Sequence, residues 1–229
     1  MTLLEAIDAR HSVRKYLDKA LPADIVATLQ DKIAECNAAG HLNIQLVLNE
    51  AKAFTGLLSY GTFRGVKNYL VMVGQKSQDL DERVGYYGEQ LVLLAQTLGL
   101  NTCWVGLSYR KVLEAYLVGK DEKLVCMIAL GYGQTQGTSH RIKSVEDVSN
   151  ASSSTPSWFR SGVEAALLAP TAVNQQKFSF EYVGESNNRH QVRAKAGSSM
   201  LGYTQIDMGI AKYHFEIAAG KEHFDWACL

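Results

Sequence analysis

Four segments of this 229-residue sequence combine residue types that can bind or orient a ligand. The first, Arg10-His11-Ser12-Val13-Arg14, gathers two guanidinium forks, an imidazole and a hydroxyl in one short run. Planar guanidiniums match the spacing of phosphate oxygens, and a serine hydroxyl adds a further donor at little steric cost. Taken alone, such a run is more often a solvated basic face between two helices. The second segment is Ala169-Pro170-Thr171-Ala172-Val173-Asn174-Gln175-Gln176, where small residues allow close backbone approach and the amides offer donors and acceptors to a flat heteroaromatic edge. Its plainer reading is a helix terminus turning into a strand. The third is Asn101-Thr102-Cys103-Trp104-Val105-Gly106: Gly106 lets its N–H sit against a ring and Trp104 can wall a site, although an apolar Trp-Val pair is also ordinary core. The fourth is Gly131-Tyr132-Gly133 followed by His140-Arg141-Ile142-Lys143. Its spacing fits neither the G-x-G-x-x-G nor the G-x-x-x-x-G-K-[ST] phosphate loop.

No competing catalyst made of side chains alone is visible. The sequence has no H-E-x-x-H helix, no Ser-His-Asp order and no isolated carboxylate pair. Cys36, Cys103, Cys126 and Cys228 are far apart and do not cluster with the six histidines, which predicts reduced thiols, a cytoplasmic location and no metal site. Lys plus Arg and Asp plus Glu each total 23, so nothing global steers the chain to nucleic acid or an anionic membrane. Any anion site must be local. No run approaches the roughly 20 apolar residues of a membrane span, and the first residues lack a secretion signal.

These segments need elements to hold them. A short amphipathic helix over Leu3–Ala9 leads into the basic run, and Pro22 suits the first turn of a helix reaching about Ala38, with Gly40 ending it. Asn43–Leu48 and Tyr69–Val73 read as buried strands. From Asp81 to Leu98 apolar residues recur at helical spacing and spread to other faces, which predicts a central helix capped by Gly99. Strands follow at Thr102–Val105 and Leu124–Leu130, with a helix between them around Lys111–Leu117. The polar stretch Gly133–Ser154 is the one convincing linker, dividing a first half of about 1–148 from a second of about 155–229. Thr155 is then read as an N-cap before Pro156 and a helix to about Ala169. Strands at Lys177–Val183 and Gln191–Ala196 and a helix over Tyr203–Ala219 complete the chain. Asn43-Ile44-Gln45 mirrors Asn174-Gln175-Gln176, and Gly88–Gly99 mirrors Gly209–Gly220, which one internal duplication explains. The bland alternative is that helix-then-strand units with Asn at the turn are common.

Together, the Arg-His-Ser-Val-Arg-Lys-Tyr run, the Gly85–Gly99 helix leading to Leu100–Gly106, the Ala129–Gly133 strand end and the Asn174-Gln175-Gln176 turn resemble the FMN-dependent nitroreductase family. The resemblance covers nearly the whole chain. It implies an α+β fold: a mixed, largely antiparallel sheet flanked by helices, with an internal pseudo-two-fold duplication. It also implies that Arg10 and Ser12 hold the FMN phosphate and ribityl chain, that Arg14 reaches the N1/O2 edge of the ring, and that His11 lines the same loop. Trp104, Val105 and Gly106 would lie beside N5, Arg141 and Lys143 would close on the phosphate, and Pro170, Thr171, Asn174 and Gln176 would lie near the ring. Family members carry the Asn-x-Gln turn early and dimerise around each FMN. Here the fuller copy comes late and no Arg-x-Ser-x-Arg occurs after residue 150, so the sequence predicts one FMN per chain and a monomer imitating the family homodimer, with a homodimer as the alternative.

The implied activity is electron transfer from NADH or NADPH to a small acceptor such as a nitroaromatic, quinone or enone, with the flavin carrying the chemistry and no catalytic side chain. Tyr60, Phe63, Trp104 and Phe178 are aromatic candidates for the pocket wall. A flavin-binding sensor or storage protein without turnover and an interaction protein that has lost FMN are the rival classes.

Overall fold

The computed structural model describes residues 1–55, 62–186 and 188–227. They fall into two units, one of Met1–Leu80 with Tyr87–Ser139 and one of Asp81–Tyr86 with His140–Leu229. Tyr60 and Cys228 lie outside the described residues.

In the first unit, α1 (Leu3–Ala9) and α2 (Ala23–Gly40) precede β1 (Gln45–Val47) and β2 (Asn68–Gln75). Next come α3 (Leu80–Thr97), whose residues 81–86 belong to the second unit, then β3 (Asn101–Val105) and β4 (Glu122–Gly131). The four strands are antiparallel in the order β1-β2-β4-β3. Every residue of β2 from Asn68 to Gly74 is buried, so this strand reads as a continuous apolar run rather than an alternation. One side of the sheet packs Tyr69, Val71, Val73, Cys103, Val105, Met127 and Ala129 into one cluster. A second cluster joins Leu29 of α2 to Ala95, Leu100 and Leu130. Leu91, Val92, Leu93 and Ala95 are each wholly buried, which bears out a central helix apolar on more than one face. Gly99 follows it at φ +78, the left-handed position glycine adopts without penalty.

The helix expected around Lys111–Leu117 does not form. Val112 and Tyr116 reach the core at helical spacing, but the backbone there bonds elsewhere. The Gln45 amide donates to the Leu117 carbonyl at 2.6 Å and accepts from its N–H at 2.8 Å, and Arg110 N–H donates to Ala53 O. A side chain remote in sequence takes the groups a helix would need.

The second unit holds α4 (Val145–Val148), α5 (Ser157–Leu167), the β5 (Phe178–Ser186) and β6 (Arg189–Ala196) hairpin, α6 (Thr204–Ala219) and β7 (Phe224–Trp226). β5 and β6 are antiparallel while β7 joins β6 in parallel, so the strands are mixed but largely antiparallel. Phe159, Phe180, Phe215 and Phe224 form its fully buried aromatic centre, with Phe180 and Phe215 stacked at 4.8 Å. His140–Lys143 bond to Leu167, Asn174 and Gln176 within this unit, and α4 carries a Ser144–Asp147 capping box. The cap of α5 differs from that expected: Pro156 occupies it, and the Thr155 hydroxyl instead donates to Ser152 O in a serine turn.

The first turns of α3 meet α6 at two glycines. A Cβ at Gly85 would lie 2.1 Å from Ile206 O, and one at Gly209 would lie 2.0 Å from Glu82 O. Residues 82 and 85 on one helix thus face 209 and 206 on the other, a reciprocal contact that only residues lacking side chains permit.

Candidate functional site

In the first unit the Arg10–Arg14 run is zipped along the end of the sheet. Val13 N–H donates to Thr102 O at 3.0 Å, and Ser12 bridges Thr102 in parallel. Leu17 N–H donates to Tyr132 O, Gln134 N–H to Lys15 O, and the buried Tyr16 hydroxyl to Val13 O at 2.7 Å. The glycine-rich loop after β4 is folded back by Asn101, whose Oδ1 accepts from Gly133 N–H while its Nδ2 donates to Gln136. Gly137, at φ +78, then lies against the run: a Cβ there would sit 2.7 Å from His11 Cβ and 3.2 Å from Ser12 O. The structure therefore brings Arg10, His11, Ser12 and Arg14 beside the start of β3, and presents Arg14 as exposed and Ser12 as half-buried.

Arg10 is not on the surface. Its side chain is 3% exposed and its Nε lies 3.8 Å from Oε1 of Glu89, which is wholly buried on α3. Burial pulls the Arg10 guanidinium below its usual range, and Glu89 opposes that shift. The Arg10 Nε has no hydrogen-bond acceptor, an expensive condition for a buried cation and one that an anionic ligand would relieve. The other Glu89 oxygen accepts from Trp104 Nε1 at 2.9 Å. Gly88, one residue earlier, makes room for that indole, since a Cβ there would lie 2.4 Å from it. Arg10 and Trp104 are thus joined through one carboxylate, while Val105 turns into the core and Gly106 is half-buried at the strand end. Cys103 lies among the same groups; burial pushes its thiol up, against the lowering influence of Arg14, Ser12 and Arg10.

The later residues assemble within the second unit. Gln176, 3% exposed, donates from Nε2 to Arg141 O at 2.8 Å and to Asn174 Oδ1 at 2.9 Å. Its Oε1 accepts from Lys143 N–H, and its backbone carbonyl accepts from the Lys143 ammonium at 2.7 Å. Asn174 Nδ2 donates to the same Arg141 carbonyl, and Thr171 Oγ1 accepts from Gln176 N–H. Val173, Asn174 and Gln176 all take positive φ, so the turn is held by these bonds against its backbone preference. Pro170 and Thr171 are half-buried at its entry, Arg141 is exposed, and Phe178 lies in the core rather than on a pocket wall. Asp207 of α6 anchors the turn from beneath, accepting from Ala172 N–H at 2.9 Å and from Gln175 Nε2 at 2.6 Å. Burial pushes its carboxyl up to about 6, against the hydrogen bonds from Gln175 and Ala172.

Sequence reasoning missed Glu89 and Asp207. A signal existed for Glu89: a charge on a helix that is apolar on most faces needs a buried partner. Asp207 sits in the first turn of α6, where an acidic residue is ordinary, so nothing local marked it.

Among the described residues there is no group of His, Cys, Asp or Glu arranged to hold a metal, and no helix long and apolar enough to cross a membrane. A family model described as "Putative TM nitroreductase" matches residues 2–219. Among solved structures, a "putative nitroreductase" from Thermotoga maritima MSB8 is 23% identical, with 97% of this chain and 85% of that one covered and a TM-score of 0.66. A "putative nitroreductase" in complex with FMN from Desulfovibrio desulfuricans is 18% identical over 65% of this chain and 95% of that one, at a TM-score of 0.52. A nitroreductase family protein from Clostridium difficile 630 is 16% identical over 68% and 100%, also at 0.52. At such identities the structural likeness is one of fold. No curated protein matches the sequence.

Proposed function

Because the chain belongs to the nitroreductase family that this model describes, we propose that it is an FMN-dependent oxidoreductase passing electrons from NADH or NADPH to a small acceptor such as a nitroaromatic, quinone or enone. The observation that carries the proposal is the buried Arg10 guanidinium, whose Nε lacks an acceptor. That unspent donor suits the phosphate of a mononucleotide.

Bound FMN would supply the redox chemistry, taking hydride from the nicotinamide and giving electrons to the acceptor. The chain's own residues bind and orient. Arg10 and Ser12 hold the phosphate and ribityl oxygens, with His11 lining the loop. The exposed Arg14 guanidinium would supply positive charge for the flavin's N1 and C2=O edge, where negative charge grows on reduction. Trp104 would wall the site, and the Val105–Gly106 backbone would offer an N–H to the flavin ring. In the second unit, Pro170 and Thr171 stand half-buried at the entry of the 170–176 turn, and the exposed Arg141 lies beside it. Asn174, Gln176 and Lys143 serve by holding that turn, since their polar groups are engaged with one another and with the Arg141 carbonyl.

The visible spectrum of purified protein tests this, recorded before and after anaerobic NADH or NADPH. A bound-flavin spectrum that bleaches is expected. A flavin that stays oxidised would make the protein a binder without turnover, and a colourless protein that refuses added FMN would end the flavin reading.

A further inference from the structure

Arg10 and Glu89 are buried together, yet they are not hydrogen-bonded. The Nε to Oε1 separation of 3.8 Å is close enough for the charges to balance and too long for a hydrogen bond. Two ions removed from water are tolerated only if each is neutralised and its polar atoms are satisfied. Here the first condition is met and the second is not, because the Arg10 Nε keeps no acceptor while Glu89 gives its other oxygen to Trp104 Nε1 at 2.9 Å. One carboxylate oxygen thus accepts from the indole, and the other lies beside the guanidinium without taking a hydrogen bond from its Nε.

We infer that Glu89 is the resident counter-anion of Arg10: it balances the buried cation when no ligand is present and competes electrostatically with the flavin phosphate when one arrives. This rests on the assignment of Arg10 to the FMN phosphate. A phosphate that accepts from Arg10 enters the field of a fixed negative charge a few ångströms behind the guanidinium, in surroundings where charges are poorly screened. Glu89 thus sets FMN affinity below what the loop would otherwise reach, and it acts most strongly on the charged phosphate among the parts of the cofactor.

Glu89→Gln separates this from a purely structural role, because the amide oxygen still accepts from Trp104 while the charge is gone. Affinities of FMN and of riboflavin, which lacks the phosphate, are measured by flavin fluorescence for wild type and variant. The expected result is FMN binding tightened about tenfold with riboflavin binding changed by a much smaller factor, and a lower melting temperature for the flavin-free variant. An unchanged FMN-to-riboflavin ratio, or weaker FMN binding in the variant, overturns the inference while leaving the flavin assignment standing. A wild type that binds the two flavins equally overturns the phosphate assignment itself, and the inference with it. If Glu89→Gln does not fold, Glu89→Asp withdraws the charge by one methylene, and the ratio should rise by a smaller factor; an unchanged ratio overturns the inference there too.

Discussion

Asp207 shows how a buried carboxylate can govern a turn it does not belong to. Its carboxyl, 3% exposed, is pushed up to about 6 from the ordinary 3.8. Between those two values the folded protein keeps a proton that the unfolded chain has released, so stability falls as pH rises across the window and levels off above it. At about 1.4 kcal/mol per pH unit the loss is at most ~3 kcal/mol. Asp207→Asn keeps an acceptor oxygen and does not titrate. Urea unfolding from pH 4 to 7 should therefore lose its downward slope in the variant, and a slope that survives would assign it to another group. Asp207 did not stand out in the sequence, because what makes it unusual is the absence of water around it. Arg10 was legible as a cation, but its burial was not.

Among the elements, α3 was the most legible, since Val84, Leu91 and Ala95 recur at helical spacing and all are buried. Its second half also positions the candidate site, through Gly88 and Glu89. Gly88→Ala places a methyl 2.4 Å from the Trp104 ring, forcing the indole away and weakening its bond to Glu89. A stability loss of about 1–3 kcal/mol is expected, together with a shift in tryptophan emission. Unaltered emission and stability would mean that the indole has space to move. The strands β2, β4, β5 and β6 were also readable from their apolar runs and alternation. The 106–118 segment was not, because its fate depends on Gln45, a hydrogen-bond partner some seventy residues away. β7 escaped notice because three residues carry no period and the strand exists only by pairing with β6. The Asn174–Gln176 turn was found for its amides, yet three residues at positive φ could not be read from side chains that seldom adopt it.

At the scale of the molecule, a single Arg-x-Ser-x-Arg run in 229 residues leads us to expect one FMN per chain. We also expect a monomer of 25.2 kDa, since one polypeptide carries both the phosphate run and the late turn. Light scattering combined with flavin absorbance checks both numbers; two flavins per chain, or a stable dimer, would reassign the second half of the sequence. The crossing of α3 and α6 bears on how freely such a molecule can vary. Each of Gly85 and Gly209 gives up a side chain so that a carbonyl of the opposite helix can occupy the space. The distance between the helices is therefore set by atoms that neither residue possesses, and any gain of even one carbon at either position must be absorbed by the partner.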